Sequence, residues 1–435
     1  MKTLFNKKIF ISILIMILFI TIGALFFRKI QQTEKEKIFS KELIVDTVSD
    51  LRTLGYSGQR KIVQDSEGNI FVGYRKDYQK NAEIFISKIS RDNNGFHISN
   101  SEEPIAIVAK NNDQRVPSLA IDAKNTLHAV WYGSDTQDEK NNRQIKYSRK
   151  PKGAENWESW RNIAHVSGHE DEELWQEHPM ILAGKDNTLY VIWEGKDEEN
   201  ERQQIKFIKS ENGGIVWTVW KNIAPSKSNT QSRPTLVEDK NGKLFLFAYS
   251  SYENENDLQQ IQFTSSSDKG ETWTAWQSIS DPSFDSRHIS AAIDNMGKIH
   301  VAWRAQATPN GPAQIIYRSF SGNKWSERKT VSPSKDYQFF PNIGISQSGI
   351  IYISWMENSR RSGFPQENPT AGLGLVSFLK RNEFHSPIKI SEQENILYPN
   401  VSEKINIENF VPIFYAEQIG EREFLLKIKF LNSRK

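Results

Sequence analysis

The 435-residue sequence predicts an all-β chain, a seven-bladed β-propeller behind an N-terminal transmembrane helix. Three observations lead there. One strand–turn–strand pattern recurs along the chain, a Ser/Asp/Gly/Trp turn recurs within it, and a single uncharged apolar run stands apart at the N-terminus.

The repeat is visible in RVPSLAIDAKNTLHAVWY (115–132), HPMILAGKDNTLYVIWE (178–194) and RPTLVEDKNGKLFLFAY (233–249). It continues in HISAAIDNMGKIHVAWR (288–304), FPNIGISQSGIIYISWM (340–356) and YPNVSEKINIENFVPIFY (398–415), with a fainter first copy, QRKIVQDSEGNIFVGYR (59–75). Each copy reads as a short apolar strand, a turn built on Asn, Gly or Asp, and an alternating strand ending in an aromatic residue. A third strand such as QIKYS (144–148) or QIQFTSS (260–266) follows, then a short fourth such as WRNIAHVS or WKNIAPS. Four antiparallel strands recurring every 52 to 62 residues describe propeller blades. A sandwich would not reuse one motif seven times.

Ring closure bears on the count. The last repeat, from Pro399, ends in FLLKIKFL (424–431) and lacks a fourth strand, whereas ELIVDTVS (42–49) resembles the fourth-strand segments elsewhere. Pairing the two would leave no open edge between the termini. Seven blades are therefore expected over 41–435, six blades with an irregular N-terminal segment being the alternative.

The N-terminal run IFISILIMILFITIGALFF (9–27) has no charge and is long enough to span a bilayer. Lys2, Lys7 and Lys8 precede it, so residues 1–8 are expected to stay cytoplasmic and the rest to be exported. The exit from the run, Phe26-Phe27-Arg28-Lys29, is a poor cleavage site, which favours an uncleaved anchor over a signal peptide, with secretion following if it is cut. Residues 28–40 read as a charged stalk. The absence of cysteine removes disulfides and thiolate chemistry, and a formal charge of +3 gives no bulk attraction for nucleic acid.

The turn motif is fullest in SSSDKGETWTAW (265–276), as Ser266, Asp268, Gly270, Thr272 and Trp273, with degenerate copies at Ser210-Asn212-Gly214-Trp217, Gly153-Trp157 and Trp325. This set resembles the Asp-box turns of the sialidase-like, BNR-repeat propellers. The resemblance covers most of 42–431 at blade level and implies that these turns lock hairpins on the ring face opposite the functional one.

The functional face is then expected where the loops between blades meet the second-to-third-strand loops. Arg60, Arg115, Arg233 and Arg287 stand at strand starts there, joined by His178 and His288, and Arg304 and Glu194 stand at second-strand ends. Guanidinium groups match carboxylates in bidentate fashion, so the cluster suits an acidic sugar. Any one of these arginines could equally be a solvated or inter-blade charge. Trp175, in the long insertion 168–179, could stack on a sugar or anchor a partner, or simply pack its loop.

The resemblance implies a finer correspondence, and it is incomplete. Arg115-Val116-Pro117 looks like the family's carboxylate-binding Arg-Ile-Pro, but the segment expected to carry the next Arg reads Tyr132-Gly133-Ser134-Asp135. A closer spelling, Glu194-Gly195-Lys196-Asp197, lies one blade on. The acid/base candidate is Asp135, and the Tyr–Glu nucleophile pair would come from Tyr249 or Tyr415 with Glu357 or Glu417. The acidic run 170–173 lacks the spacing of a Ca²⁺ loop, and no metal or cofactor is expected.

Three readings follow: a membrane-anchored extracytoplasmic propeller binding a glycan or other anionic ligand, a sialidase-like glycoside hydrolase, or a protein-interaction scaffold.

Overall fold

The computed structural model describes residues 21, 38–40, 42–50, 54–79, 81–99, 103–108, 114–135, 143–166, 175–225, 229–251, 258–306, 308, 311–359, 371–407 and 409–433. Apart from residue 21, the expected anchor over 9–27 lies outside them, as do most of the stalk and the acidic run 170–173. Among the described residues no helix is long and apolar enough to cross a membrane.

The described strands form seven separate sheets, each ordered from an inner to an outer strand. We number them as blades: 1 (62–99), 2 (115–164), 3 (176–222), 4 (231–278), 5 (286–330), 6 (337–389) and 7 (396–432). Blade 7 takes its outermost strand from the other end of the chain, Leu43–Val48 pairing antiparallel with Glu423–Asn432. This is the expected closure, and it sets seven blades against the six-bladed alternative.

Packing between blades rests on the aromatic ends of the second strands. Trp131, Trp193, Trp303 and Trp355 are all 1% exposed or less, each inside an inter-blade core cluster. Burial of these rings holds the sheets together laterally, and between blades 6 and 7 Lys404–Ile405 also pairs with the inner strand of blade 6. In blade 4 the turn that carries the full Asp-box shows why its residue types are needed. Ser266 Oγ accepts from Gly270 N at 2.8 Å and donates to Asp268 Oδ1 at 2.7 Å, while Asp268 Oδ1 also accepts from Thr272 N at 2.9 Å. Gly270 has φ 84°, and a Cβ there would lie 2.2 Å from Phe207 Cζ of blade 3. Only glycine meets both demands.

Strand direction places these turns on one face of the ring and the starts of the inner strands on the other. On that second face six blades share one device. A register shift interrupts the first strand at Arg115/Ser118, Glu177/Met180, Ser232/Thr235, Arg287/Ser290, Phe339/Asn342 and Leu397/Asn400. The bulged residue is left-handed each time: Val116 (φ 48°), His178 (53°), Arg233 (52°), His288 (57°), Phe340 (51°) and Tyr398 (48°). Non-glycine residues rarely adopt this conformation, and bulges re-aim side chains. A proline follows in five of the six, a residue that sheets accept at bulges because no ladder hydrogen bond is lost there.

Candidate functional site

The bulges line the mouth of the central channel with His178, Arg233, His288, Phe340 and Tyr398. Second-strand ends add Tyr132, Glu194, Tyr249 and Arg304, set opposite Arg115, Glu177, Ser232 and Arg287 in the ladders. The mouth is therefore two-sided. Blades 2 to 5 supply its charged and hydroxyl groups, whereas blades 6 and 7 supply Phe339, Phe340, Met356, Leu397 and Tyr398, all 7% exposed or less.

Glu194 organises the polar side. Its Oε1 lies 2.8 Å from His178 Nδ1 and 2.9 Å from Arg233 Nη1, and its Oε2 accepts from the Arg233 backbone N–H. Burial pushes the Glu194 carboxyl upward, but Arg233 and His178 prevail and hold it below the usual range. Arg233 stays charged: burial opposes its charge, and Glu194 with the surrounding tyrosines outweighs burial. His178 is neutral near pH 7, lowered by burial and then by Arg233. Its Nε2 is buried with no hydrogen-bond partner.

A second centre forms around His288. Its ring stacks on Phe340 (4.4 Å, 13°), and its protonation is suppressed by burial and then by Arg304, Arg233 and Arg287. Tyr249 lies between the two centres. Its ring sits 6.4 Å from His288 and 6.0 Å from the Arg287 guanidinium, and its hydroxyl bonds Arg233. Burial raises its pKa despite Arg233.

One contributor comes from outside the repeats. Segment 54–61 leads from the closing strand to blade 1 across the mouth, and Tyr56 (φ 79°) reaches into the polar side. The Arg233 guanidinium lies 4.1 Å over its ring, and His178 meets that ring edge-on at 4.3 Å. Gln59 Nε2 donates to His178 O at 3.2 Å and Arg60 Nη2 to Leu236 O at 3.1 Å, so the segment is tied to blades 3 and 4. No repeat-based reading could find Tyr56; its one sequence signal is the flanking Gly55 and Gly58.

The other sequence candidates fall as follows. Arg115, Arg233, Arg287, Arg304, Glu194 and Tyr249 line the mouth. Arg60 lies inside the channel wall, its Nη2 2.5 Å from Glu403 Oε2 and 3.1 Å from Leu236 O. Asp135 forms a buried ion pair with Lys146 at 2.8 Å and accepts from Asn162 at 2.9 Å. Tyr415 donates to Glu42, and Glu417 pairs with Lys427, both in the outer part of blade 7. Glu357 accepts from Gln338 Nε2 at 2.8 Å. Trp175 bridges to Arg143 at the edge of its insertion. Glu177, which the sequence reading passed over, joins His178 and Glu194 in a set whose ligand atoms lie within 4.8 Å of one another. The Arg233 guanidinium already occupies that corner, so the cation there is an arginine.

No protein-family model matches the chain, and no curated protein matches it. Solved structures do. An ulvan lyase shares 12% identity at a TM-score of 0.58, covering 88% of this chain and 95% of its own. A protein of unknown function from Dyadobacter fermentans shares 12% at 0.50, covering 90% and 99%. The NanB sialidase from Streptococcus pneumoniae shares 10% at 0.48, covering 90% and 93%. At such identities the likeness is one of fold alone, the β-propeller whose seven blades the sheets form.

Proposed function

We propose that the mouth binds an acidic glycan, with a sugar carboxylate held by Arg233, Arg287 and Arg304 and the sugar body against the Phe340–Tyr398 side. The observation that carries this reading is the gathering of three guanidinium groups around Tyr249: Arg233 bonds its hydroxyl, Arg287 lies 6.0 Å from its ring, and Arg304 stands opposite Arg287 in the ladder. Glu194 offsets only one of them, and Arg287 bonds Asp285 at 3.0 Å. Lysines would serve poorly here, because a planar fork matches a carboxylate at two points. In the full reading the run 9–27 anchors the propeller on the outer side of a membrane.

Calorimetric titration with sialyllactose and with a uronate polysaccharide tests the proposal. Arg233→Ala and Arg287→Ala should each weaken binding by at least ~10-fold, since a hydrogen bond to a charged group contributes about 1.5–3 kcal/mol. Unchanged affinity in both variants, or no binding to either probe, would reject it.

Catalysis on the bound glycan is the second reading, favoured by the Tyr249 hydroxyl on Arg233 beside Glu194. An ulvan lyase of this fold was solved with a GlcA- and Rha-containing glycan bound. Release from a fluorogenic sialoside would indicate hydrolysis, and ultraviolet absorbance of an unsaturated uronate would indicate elimination. Silence in both leaves binding alone.

A further inference from the structure

Four inter-blade interfaces share an aromatic lock. The turn aromatic of one blade meets the third-strand aromatic of the preceding blade nearly edge-on. The pairs are Trp217 on Tyr147 (5.1 Å, 75°), Trp273 on Phe207 (5.6 Å, 73°), Trp325 on Phe263 (5.4 Å, 73°) and Phe384 on Tyr317 (5.2 Å, 84°). Between blades 1 and 2 the equivalent pair is Trp157 and Ile86, so the third-strand ring is missing. The turn glycine there, Gly153, has nothing within 4 Å of where a Cβ would stand, in contrast to Gly270.

The consequence is a cleft of about 750 Å³ between blades 1 and 2, far from the mouth. Its apolar wall includes Trp157, Ile86 and Phe71. Its rim carries three lysines and four carboxylates, among them the Lys152–Glu67 pair. A cavity of this size with an apolar wall and a few polar groups has the character of a small-molecule site. The nearly balanced charge gives no field for an anion, while Trp157 offers a flat face to the C–H side of a sugar ring.

We propose that this cleft is a second saccharide site, for a neutral sugar, created by loss of the aromatic lock between blades 1 and 2. It is independent of the acidic-glycan reading of the mouth. Ile86→Phe supplies the missing ring and should fill the cleft; Trp157→Ala removes the platform while leaving the cleft open.

The full chain would be applied to an array of neutral and acidic glycans. The wild type should retain neutral glycans, and both variants should lose at least ~10-fold of that signal while any acidic-glycan signal persists. Ile86→Phe should melt no lower than the wild type, because it rebuilds the contact that the four locked interfaces use. Absence of neutral-glycan binding by the wild type, or retention unchanged in both variants, would overturn the proposal. Loss of acidic-glycan binding alone would count against the mouth and leave the cleft standing.

Discussion

Blades 2 and 3 are built on one frame and differ where the frame meets the channel mouth. In blade 2 Gln114 Oε1 accepts from Trp131 Nε1 at 3.0 Å, and Gln114 Nε2 donates to Ser134 O at 3.0 Å. In blade 3 Gln176 repeats both bonds, to Trp193 Nε1 and Lys196 O, each at 2.7 Å. A Cβ on Gly133 or Gly195 would fall 2.4 or 2.2 Å from the glutamine Oε1, so the glycine of each copy makes room for the clamp. Asp135–Lys146–Asn162 recurs as Asp197–Lys206–Asn222. Against this identity stand Arg115, Val116 and Tyr132 in one blade and Glu177, His178 and Glu194 in the other. Residues that both copies keep hold a blade together. Residues that differ give the mouth its chemistry.

The largest expected effect lies in the shared part. Lys146 and Lys206 are fully buried, and their carboxylate partners are 1% and 3% exposed. Removing either ammonium leaves an uncompensated buried carboxylate, which costs about 3–5 kcal/mol. Lys146→Ala and Lys206→Ala should therefore lower stability by similar amounts in urea unfolding. A large loss in one blade and none in the other would break the equivalence, and would return Asp135 to consideration as an acid/base group.

Much of this was legible in the sequence. The repeat period and the ELIVDTVS strand carry the blade count and closure, because a blade is a local strand–turn–strand pattern. Arg233, Arg287, Arg304, Glu194 and Tyr249 were readable as mouth residues because strand ends fix them. The bulge was not legible: a one-residue shift moves a side chain to the other face, so Arg115 and Arg233 look equivalent by letter but occupy successive positions. Val116, not Arg115, is the counterpart of Arg233. Asp135 looked catalytic by spelling, although its recurrence with a lysine and an asparagine one blade later was available as a structural signal. Tyr56 reaches the mouth through a long-range crossing that no periodicity records.

The differing part of the comparison has its own signature in acid. His178 and His288 have native pKa values below the ordinary histidine value of about 6.5. Below that pH the unfolded chain takes up protons that the native imidazoles refuse, so stability falls as pH falls, until the native pKa values are reached. The depressed Glu194 acts in a lower window, where its contribution is lost as pH drops below the unfolded glutamate value of about 4.3. His178→Val gives blade 3 the residue of blade 2 and should flatten the decline in melting temperature between about pH 6.5 and 5, leaving the shares due to His288 and His300. A slope identical to that of the wild type would mean that burial and Arg233 do not hold His178 neutral.

The smallest effect belongs to the opposite face, where the bonded positions of the turn differ between blades 3 and 4 as Asn212 for Asp268 and Val216 for Thr272. In blade 3 Asn212 Oδ1 accepts from Ser210 Oγ at 2.9 Å and from Val216 N at 2.8 Å. Asp268 Oδ1 makes the same two bonds in blade 4, and its Oδ2 adds one from Thr272 Oγ1 at 2.5 Å. Asp268→Asn keeps the first two bonds and gives up only the third, at an exposed position. Stability near pH 7 should stay within about 0.5 kcal/mol of the wild type. The Thr272 bonds and then Ser266 hold the native Asp268 carboxyl well below its ordinary range, so its contribution is present above the unfolded aspartate value of about 3.9 and lost as pH falls toward the native one. The variant should lose that acid limb, while the glycan binding proposed for the mouth should be unchanged. A change in binding would show that the two faces are coupled through the blade, against the division of labour that blades 2 and 3 display.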